Sequence, residues 1–257
     1  MIFSEEPDFA RRIALAAQCG LPAIEFWGWA GKDLSRVKEA CQAHKANVAA
    51  MCVDFKPPVP DPWPRGIMVD PQHQAIWRRG VEQSIEAAHQ VGCPSLIATV
   101  GNAQPRLSEE VQLQSIIDNL KAAASLAERA GITIVLEPLN IHVDHKGYFL
   151  WSSHVAFDIL RKVASPNVKL LFDCYHQQIM EGNLIANITQ NIDLIGHFHS
   201  ADVPGRHEFG TGELNYANIL KAIAKTGYDR YFGMEYKPTR PSAETVRVAL
   251  DMARAAG

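Results

Sequence analysis

The chain has no uninterrupted run of about 18 apolar residues, the least a helix needs to cross a bilayer, so no membrane span is expected. No basic run is longer than Arg11-Arg12 or Arg78-Arg79, and its net charge is −3. Bulk electrostatics therefore offers nothing to nucleic acid or to an anionic membrane. There is no CxxC pair. Five cysteines (Cys19, Cys41, Cys52, Cys93 and Cys174) are scattered and odd in number, which argues against a disulfide framework and fits a reducing cytoplasmic setting. Met1-Ile2-Phe3-Ser4-Glu5-Glu6 lacks a basic region followed by an apolar stretch, so it does not read as a signal peptide. No GxGxxG follows a strand pattern, which removes the nicotinamide fingerprint. Low-complexity segments, linkers and solenoid repeats are also missing, so one domain over 1–257 is expected.

Hydrophobic types make up 47 % of the 257 residues, enough for one well-buried core. Strand patterns fall at 23–27, 48–53, 95–100, 132–137, 168–173, 194–199 and 230–235. Helical patterns fall at 7–19, 33–45, 72–91, 108–130, 153–164, 215–226 and 242–255, with a short one near 184–190. Gly20, Gly92, Gly131 and Gly227 each separate a helix from the next strand, where a left-handed residue is expected. Ser108 and Ser242, each with glutamate close behind, read as helix N-caps. Alternating strands and helices imply a parallel sheet, and this length suits a (β/α)8 TIM barrel. Because the first helix begins almost at Met1, the first barrel strand is expected to be short or missing, with Met1–Phe3 supplying at most a stub. Two long loops are expected to shape a site: the five-proline segment from Lys56 to Pro64, and Asn140 to Trp151.

Four of the apolar runs close on a ligand-type residue: Glu137, Asp173, His199 and Glu235. Parallel strands deliver their C-terminal ends to one face, so these side chains should converge. Three carboxylates around one imidazole repel each other unless a cation joins them. A divalent metal is expected, Mn2+ or Mg2+ first, with Co2+ and Zn2+ compatible. His197, on the strand of His199, is expected to face the helical layer as a hydrogen-bonded structural residue. His176, three residues past Asp173 and read as loop, is expected to touch substrate. Arg206, in a loop with Pro204 and Gly205, suits a small carboxylate or polyol. Glu208 and Glu213 are read as structural, holding Arg206 or capping the helix near Asn215. His142 and His145 are read as exposed loop residues. Trp27, Trp29, Trp63 and Trp151 fall at strand ends or in long loops, and Glu25 is read as barrel-bottom or as supporting the site.

The ordered segments Leu136-Glu137-Pro138-Leu139-Asn140, Gly147-Tyr148-Phe149-Leu150, Asp173-Cys174-Tyr175-His176 through Gly182-Asn183-Leu184, Gly196-His197-Phe198-His199, Val203-Pro204-Gly205-Arg206-His207-Glu208, Gly212-Glu213-Leu214-Asn215-Tyr216 and Glu235-Tyr236-Lys237-Pro238 resemble the hydroxypyruvate isomerase family, among the xylose isomerase-like TIM barrels. By that resemblance Glu137, Asp173, His199 and Glu235 match metal positions. Glu137 and Glu235 also match the pair that handles the substrate proton, and His176 and Arg206 match positions that bind substrate oxygens. Hydroxypyruvate isomerases often carry Gln at the place of His199, whereas His is the ketose 3-epimerase choice. The epimerases carry a further substrate-binding Glu where this chain has Val143. The resemblance implies a metal-assisted aldose–ketose isomerase that converts hydroxypyruvate to 2-hydroxy-3-oxopropanoate through an enediolate. A 2-oxo-tetronate isomerase, a ketose 3-epimerase and a non-catalytic sugar-acid binding barrel are the alternatives. The expected partner is a small hydroxy-oxo acid or ketose, and a homo-oligomer is compatible with the sequence.

Overall fold

The computed structural model describes residues 1–56 and 67–256. The proline segment after Lys56, with Trp63, lies outside the described residues. Seven strands form one sheet in sequence order: β1 (Ala23–Phe26), β2 (Asn47–Cys52), β3 (Ser95–Ala98), β4 (Thr133–Leu136), β5 (Val168–Asp173), β6 (Ile195–Ser200) and β7 (Phe232–Met234). Every adjacent pair is parallel. Around them run α1 (Phe9–Gln18), α2 (Leu34–His44), α3 (Gln74–Val91), α4 (Glu109–Ala130), α5 (Ser153–Val163), α6 (Cys174–Met180), α7 (Leu184–Gln190), α8 (Tyr216–Ala224) and α9 (Ser242–Ala256). The architecture is a nearly closed TIM barrel.

Local chemistry sets the helix ends. Asp8, Asp33 and Ser108 each accept a backbone N–H from the first turn of the helix they precede. Gly92 and Gly131 close α3 and α4 in left-handed backbone, at φ 69° and 66°. Ser242 is a helical residue, not the expected N-cap. Its hydroxyl accepts from Phe3 N at 2.9 Å and donates to Glu5, which ties residues 1–5 to α9.

Side chains alternate across each strand, and that alternation builds two apolar layers. Leu136, Leu170, Phe172 and Phe198 pack outward against helices in the largest cluster. Ala50, Ile97, Val135 and Leu171 meet inside the barrel. Two residues further along the same inner face lie Glu137 after Val135 and Asp173 after Leu171. The register Asp173↔His199↔Gly233 brings β5, β6 and β7 level at the barrel mouth.

The seam between β7 and β1 carries no strand pairing among the described residues. Residues 2–5 form turns and residues 1–8 supply no strand, in agreement with a first strand short or missing. Phe3 sits in left-handed backbone at φ 57° and buries its ring with Ala16 and Val246. A cavity of about 800 Å3 opens along this seam, lined by Ile24, Phe26, Phe232 and Met234 and reaching Glu25 and Glu235.

Candidate metal and acid–base site

Glu137, Asp173, His199 and Glu235 each present one ligand atom, and these atoms lie within 4.8 Å of one another. His199 Nδ1 is 3.6 Å from Glu137 Oε1 and 3.4 Å from Glu235 Oε2. That nitrogen is buried and has no hydrogen-bond partner, so it points unengaged into the carboxylates. An orphaned imidazole nitrogen facing three carboxylates fits a divalent cation by charge and by donor type.

The electrostatics agree. Burial opposes charge on His199, yet Glu25, Glu235 and Glu137 outweigh it and hold the imidazole well above the usual histidine range. Burial would raise Glu235, but His199, Arg206 and the Trp27 indole pull it well below the usual carboxylate range. For Asp173 burial prevails and raises it, despite His199 and Arg206. Without a cation, the raised His199 and the Arg206 guanidinium offset these carboxylates. A bound metal would take the place of the proton on His199.

His176 belongs to α6, not to a loop. Asp173 caps that helix, its Oδ1 accepting from Tyr175 N at 2.8 Å and His176 N at 3.3 Å. One carboxylate thus starts the helix and faces the cluster. His176 Nδ1 accepts from Asn140 N at 3.2 Å, which leaves the proton of the neutral ring on Nε2. Nε2 is buried without a hydrogen bond, 3.5 Å from Asp173 Oδ2. Burial, with Arg206 and His145 adding to it, lowers His176 to about 4. The ring is therefore neutral and offers Nε2–H to the pocket.

Arg206 occupies left-handed backbone at φ 59°. Its Nη2 donates to Glu235 Oε2 at 2.5 Å and lies 4.0 Å from Asp173 Oδ2, while its guanidinium rests 5.2 Å from the Tyr175 ring centre. Its Nε is buried without a partner. Buried Asp202 organises the loop, accepting from the backbone N–H groups of Val203, Gly210, Gly212 and Leu214 at 2.9–3.0 Å.

Several expectations change. Residues two apart on a strand share a face, so His197 points into the barrel beside His199 and not toward the helices. Both Nε2 atoms meet Glu25 Oε2, at 2.9 Å from His197 and 2.8 Å from His199. Glu208 does not hold Arg206; it receives Thr239 and Arg240. Glu213 accepts from Gln178, and Asn215 itself caps α8. Trp29 is buried and donates to Ser84, whereas exposed Trp27 donates to Glu235 Oε1 at 2.6 Å. Val143 is 61 % exposed. Asn140, Asp144 and Tyr175 were not read from the sequence. Asp144 accepts from Asn140 Nδ2 and from the Tyr175 hydroxyl, both at 2.8 Å, and so joins the 140s loop to α6. Asn140, in the Glu137-Pro138-Leu139-Asn140 segment that follows β4, is the available signal.

Comparison with known proteins agrees with the barrel fold. Hydroxypyruvate isomerase of Escherichia coli (strain K12) is 34 % identical over 93 % of this chain and 91 % of its own length. 2-Oxo-tetronate isomerase of Cupriavidus necator is 31 % identical over 93 % of this chain and 90 % of its own. A solved structure described as AP endonuclease, family 2, from Brucella melitensis superposes with a TM-score of 0.90 at 28 % identity, covering 97 % of this chain and 95 % of that one. An L-ribulose 3-epimerase structure shares the fold, with a TM-score of 0.80 at 20 % identity over 96 % of this chain and 89 % of that one. The model of the xylose isomerase-like TIM barrels matches residues 13–256, and the chain belongs to that family.

Proposed function

We propose that the protein is an aldose–ketose isomerase acting on hydroxypyruvate or a close 2-oxo acid. The observation that carries this reading is the approach of two carboxylates, Glu137 and Glu235, to the same nitrogen of His199, with Arg206 on Glu235. Glu137, Asp173, His199 and Glu235 would hold a divalent cation, Mn2+ or Mg2+ before Co2+ or Zn2+. Such an ion, when bound, polarises the substrate carbonyl and acidifies the neighbouring C–H.

The side chains account for the rest. Arg206 takes the substrate carboxylate through its guanidinium fork. One of Glu137 and Glu235 removes a proton from C3 of hydroxypyruvate, leaving an enediolate across C2 and C3. The other returns a proton to C2, and the aldehyde forms at C3. The proton of the C3 hydroxyl passes to the C2 oxygen, and His176 Nε2–H stabilises that oxygen by a hydrogen bond, so that the ring keeps its proton. Acid–base assistance of this kind is worth roughly 10²–10⁴-fold. The Trp27 indole and Arg206 hold Glu235 ionised and oriented.

A ketose 3-epimerase would return the proton to the same carbon, and the side chain at 143, where those enzymes carry Glu, is an exposed valine. Nucleic-acid cleavage, the activity named for the Brucella structure, is poorly served by a single-histidine ligand set on a chain of net charge −3. Proton NMR in D2O tests the proposal. Deuterium should enter hydroxypyruvate and its aldehyde product, and not D-fructose or D-tagatose. Exchange into the ketoses alone would make the enzyme an epimerase, and no exchange into any of them would leave a binding barrel.

A further inference from the structure

We propose that Glu25 is the positioning residue for His199, fixing through its carboxylate which ring nitrogen faces the metal site. The inference rests on the metal-site reading above and concerns a residue outside that ligand set. Glu25 lies on β1, across the open seam from β7, whose other neighbour is β6. Its Oε2 stands 2.8 Å from His199 Nε2 and 2.9 Å from His197 Nε2. A carboxylate only accepts, so each Nε2 carries a hydrogen. In the neutral ring of His199 this leaves the lone pair on Nδ1, the buried atom that has no partner and faces Glu137 and Glu235. A carboxylate behind a ligating imidazole orients the ring and increases its basicity.

A second observation, from β7, points the same way. Gly233 is the register partner of His199. A Cβ built there would collide with Glu25 Oε1 and press on the His199 ring. A missing side chain within a strand weakens the strand, and here it opens the space through which the Glu25 carboxylate reaches beneath His199. His197 acts as the second donor that holds the same oxygen in place. No other acidic side chain reaches Nε2 of His199 among the described residues.

Mn2+ titration calorimetry on wild type, Glu25→Gln, Glu25→Ala and Gly233→Ala tests this, with far-UV circular dichroism and melting of the metal-free proteins alongside. Glu25→Ala should bind Mn2+ about 10–100-fold more weakly while remaining folded. Glu25→Gln keeps an acceptor oxygen and should recover part of that loss, and Gly233→Ala should weaken binding by displacing the carboxylate. A merely structural Glu25 would lower the melting temperature and leave the affinity of the folded protein unchanged, which overturns the proposal. Two Mn2+ ions per wild-type chain and one in Glu25→Ala would also overturn it, because Glu25 would then be a ligand. If Glu25→Ala does not fold, wild-type affinity in Glu25→Gln and Gly233→Ala together has the same force. Wild-type protein that binds no Mn2+ would remove the metal-site reading itself, an outcome distinct from an unchanged affinity in the variants.

Discussion

Lowering the pH should destabilise the protein through His176, by an amount the site's geometry sets. The imidazole is fully buried, its Nδ1 is occupied by the Asn140 N–H, and burial with Arg206 and His145 lowers it from 6.5 to about 4. The unfolded chain takes up this proton near the ordinary value, whereas the folded chain resists it. The stability tied to neutral His176 is therefore complete above about pH 6.5, falls as the pH drops toward about 4, and changes no further below that. The separation corresponds to about 3 kcal/mol in all, of which about 2 kcal/mol is lost by pH 5. The assay is urea unfolding of the EDTA-treated protein between pH 8 and 4.5, with His176→Gln as the reference. Other groups titrate in this range, but they do so in both proteins, so the difference between the two isolates His176. That difference should move by about 2 kcal/mol between pH 8 and pH 5. A difference that stays flat would mean that His176 is not held buried and neutral, and would withdraw its role as an Nε2–H donor.

Four further outcomes are expected. Chelation with EDTA should abolish isomerisation and leave the far-UV circular dichroism unchanged, because the apolar layers around Leu170 and Val135 do not depend on an ion; global unfolding would make the metal structural. Since His199 is held above the usual histidine range, metal uptake should expel a proton, and Mn2+ affinity should weaken as the pH falls; calorimetry in buffers of different ionisation enthalpy reads the proton count. Glu137→Gln and Glu235→Gln should each slow C–H exchange in D2O by roughly 10²-fold or more, while Arg206→Ala should raise KM for a carboxylate substrate far more than for a neutral ketose; equal KM losses would remove Arg206 from that role.

Periodicity in the sequence was enough to locate all seven strands and the four side chains that close on the cluster, because a parallel barrel turns strand order directly into a shared face. What it could not supply is instructive. The seven-residue helix α6 is too short to show a period, so His176 read as loop although Asp173 stood as its cap. His197 was assigned to the wrong side, although a two-residue spacing places it with His199. Glu25 lies 172 residues before His197 in the chain, and only closure of the sheet brings the two together. The role of Asp202 likewise depends on four backbone amides whose direction no side-chain pattern reports.

Asp202 has a consequence for the kinetics of recognition. A loop arginine usually loses conformational freedom when it grips its ligand, and affinity suffers accordingly. Here one buried carboxylate already gathers the backbone amides on both sides of Arg206, so less of that loop is left to order. If Arg206 takes the carboxylate as proposed, encounter should need little rearrangement of the backbone at 202–214. The same arrangement makes the segment indivisible. A barrel engineered to accept a carboxylate substrate would have to import the acid, the glycine at 212 whose Cβ would collide with the Val203 carbonyl, and the arginine as one unit. The arginine grafted alone would be a flexible cation without a fixed direction.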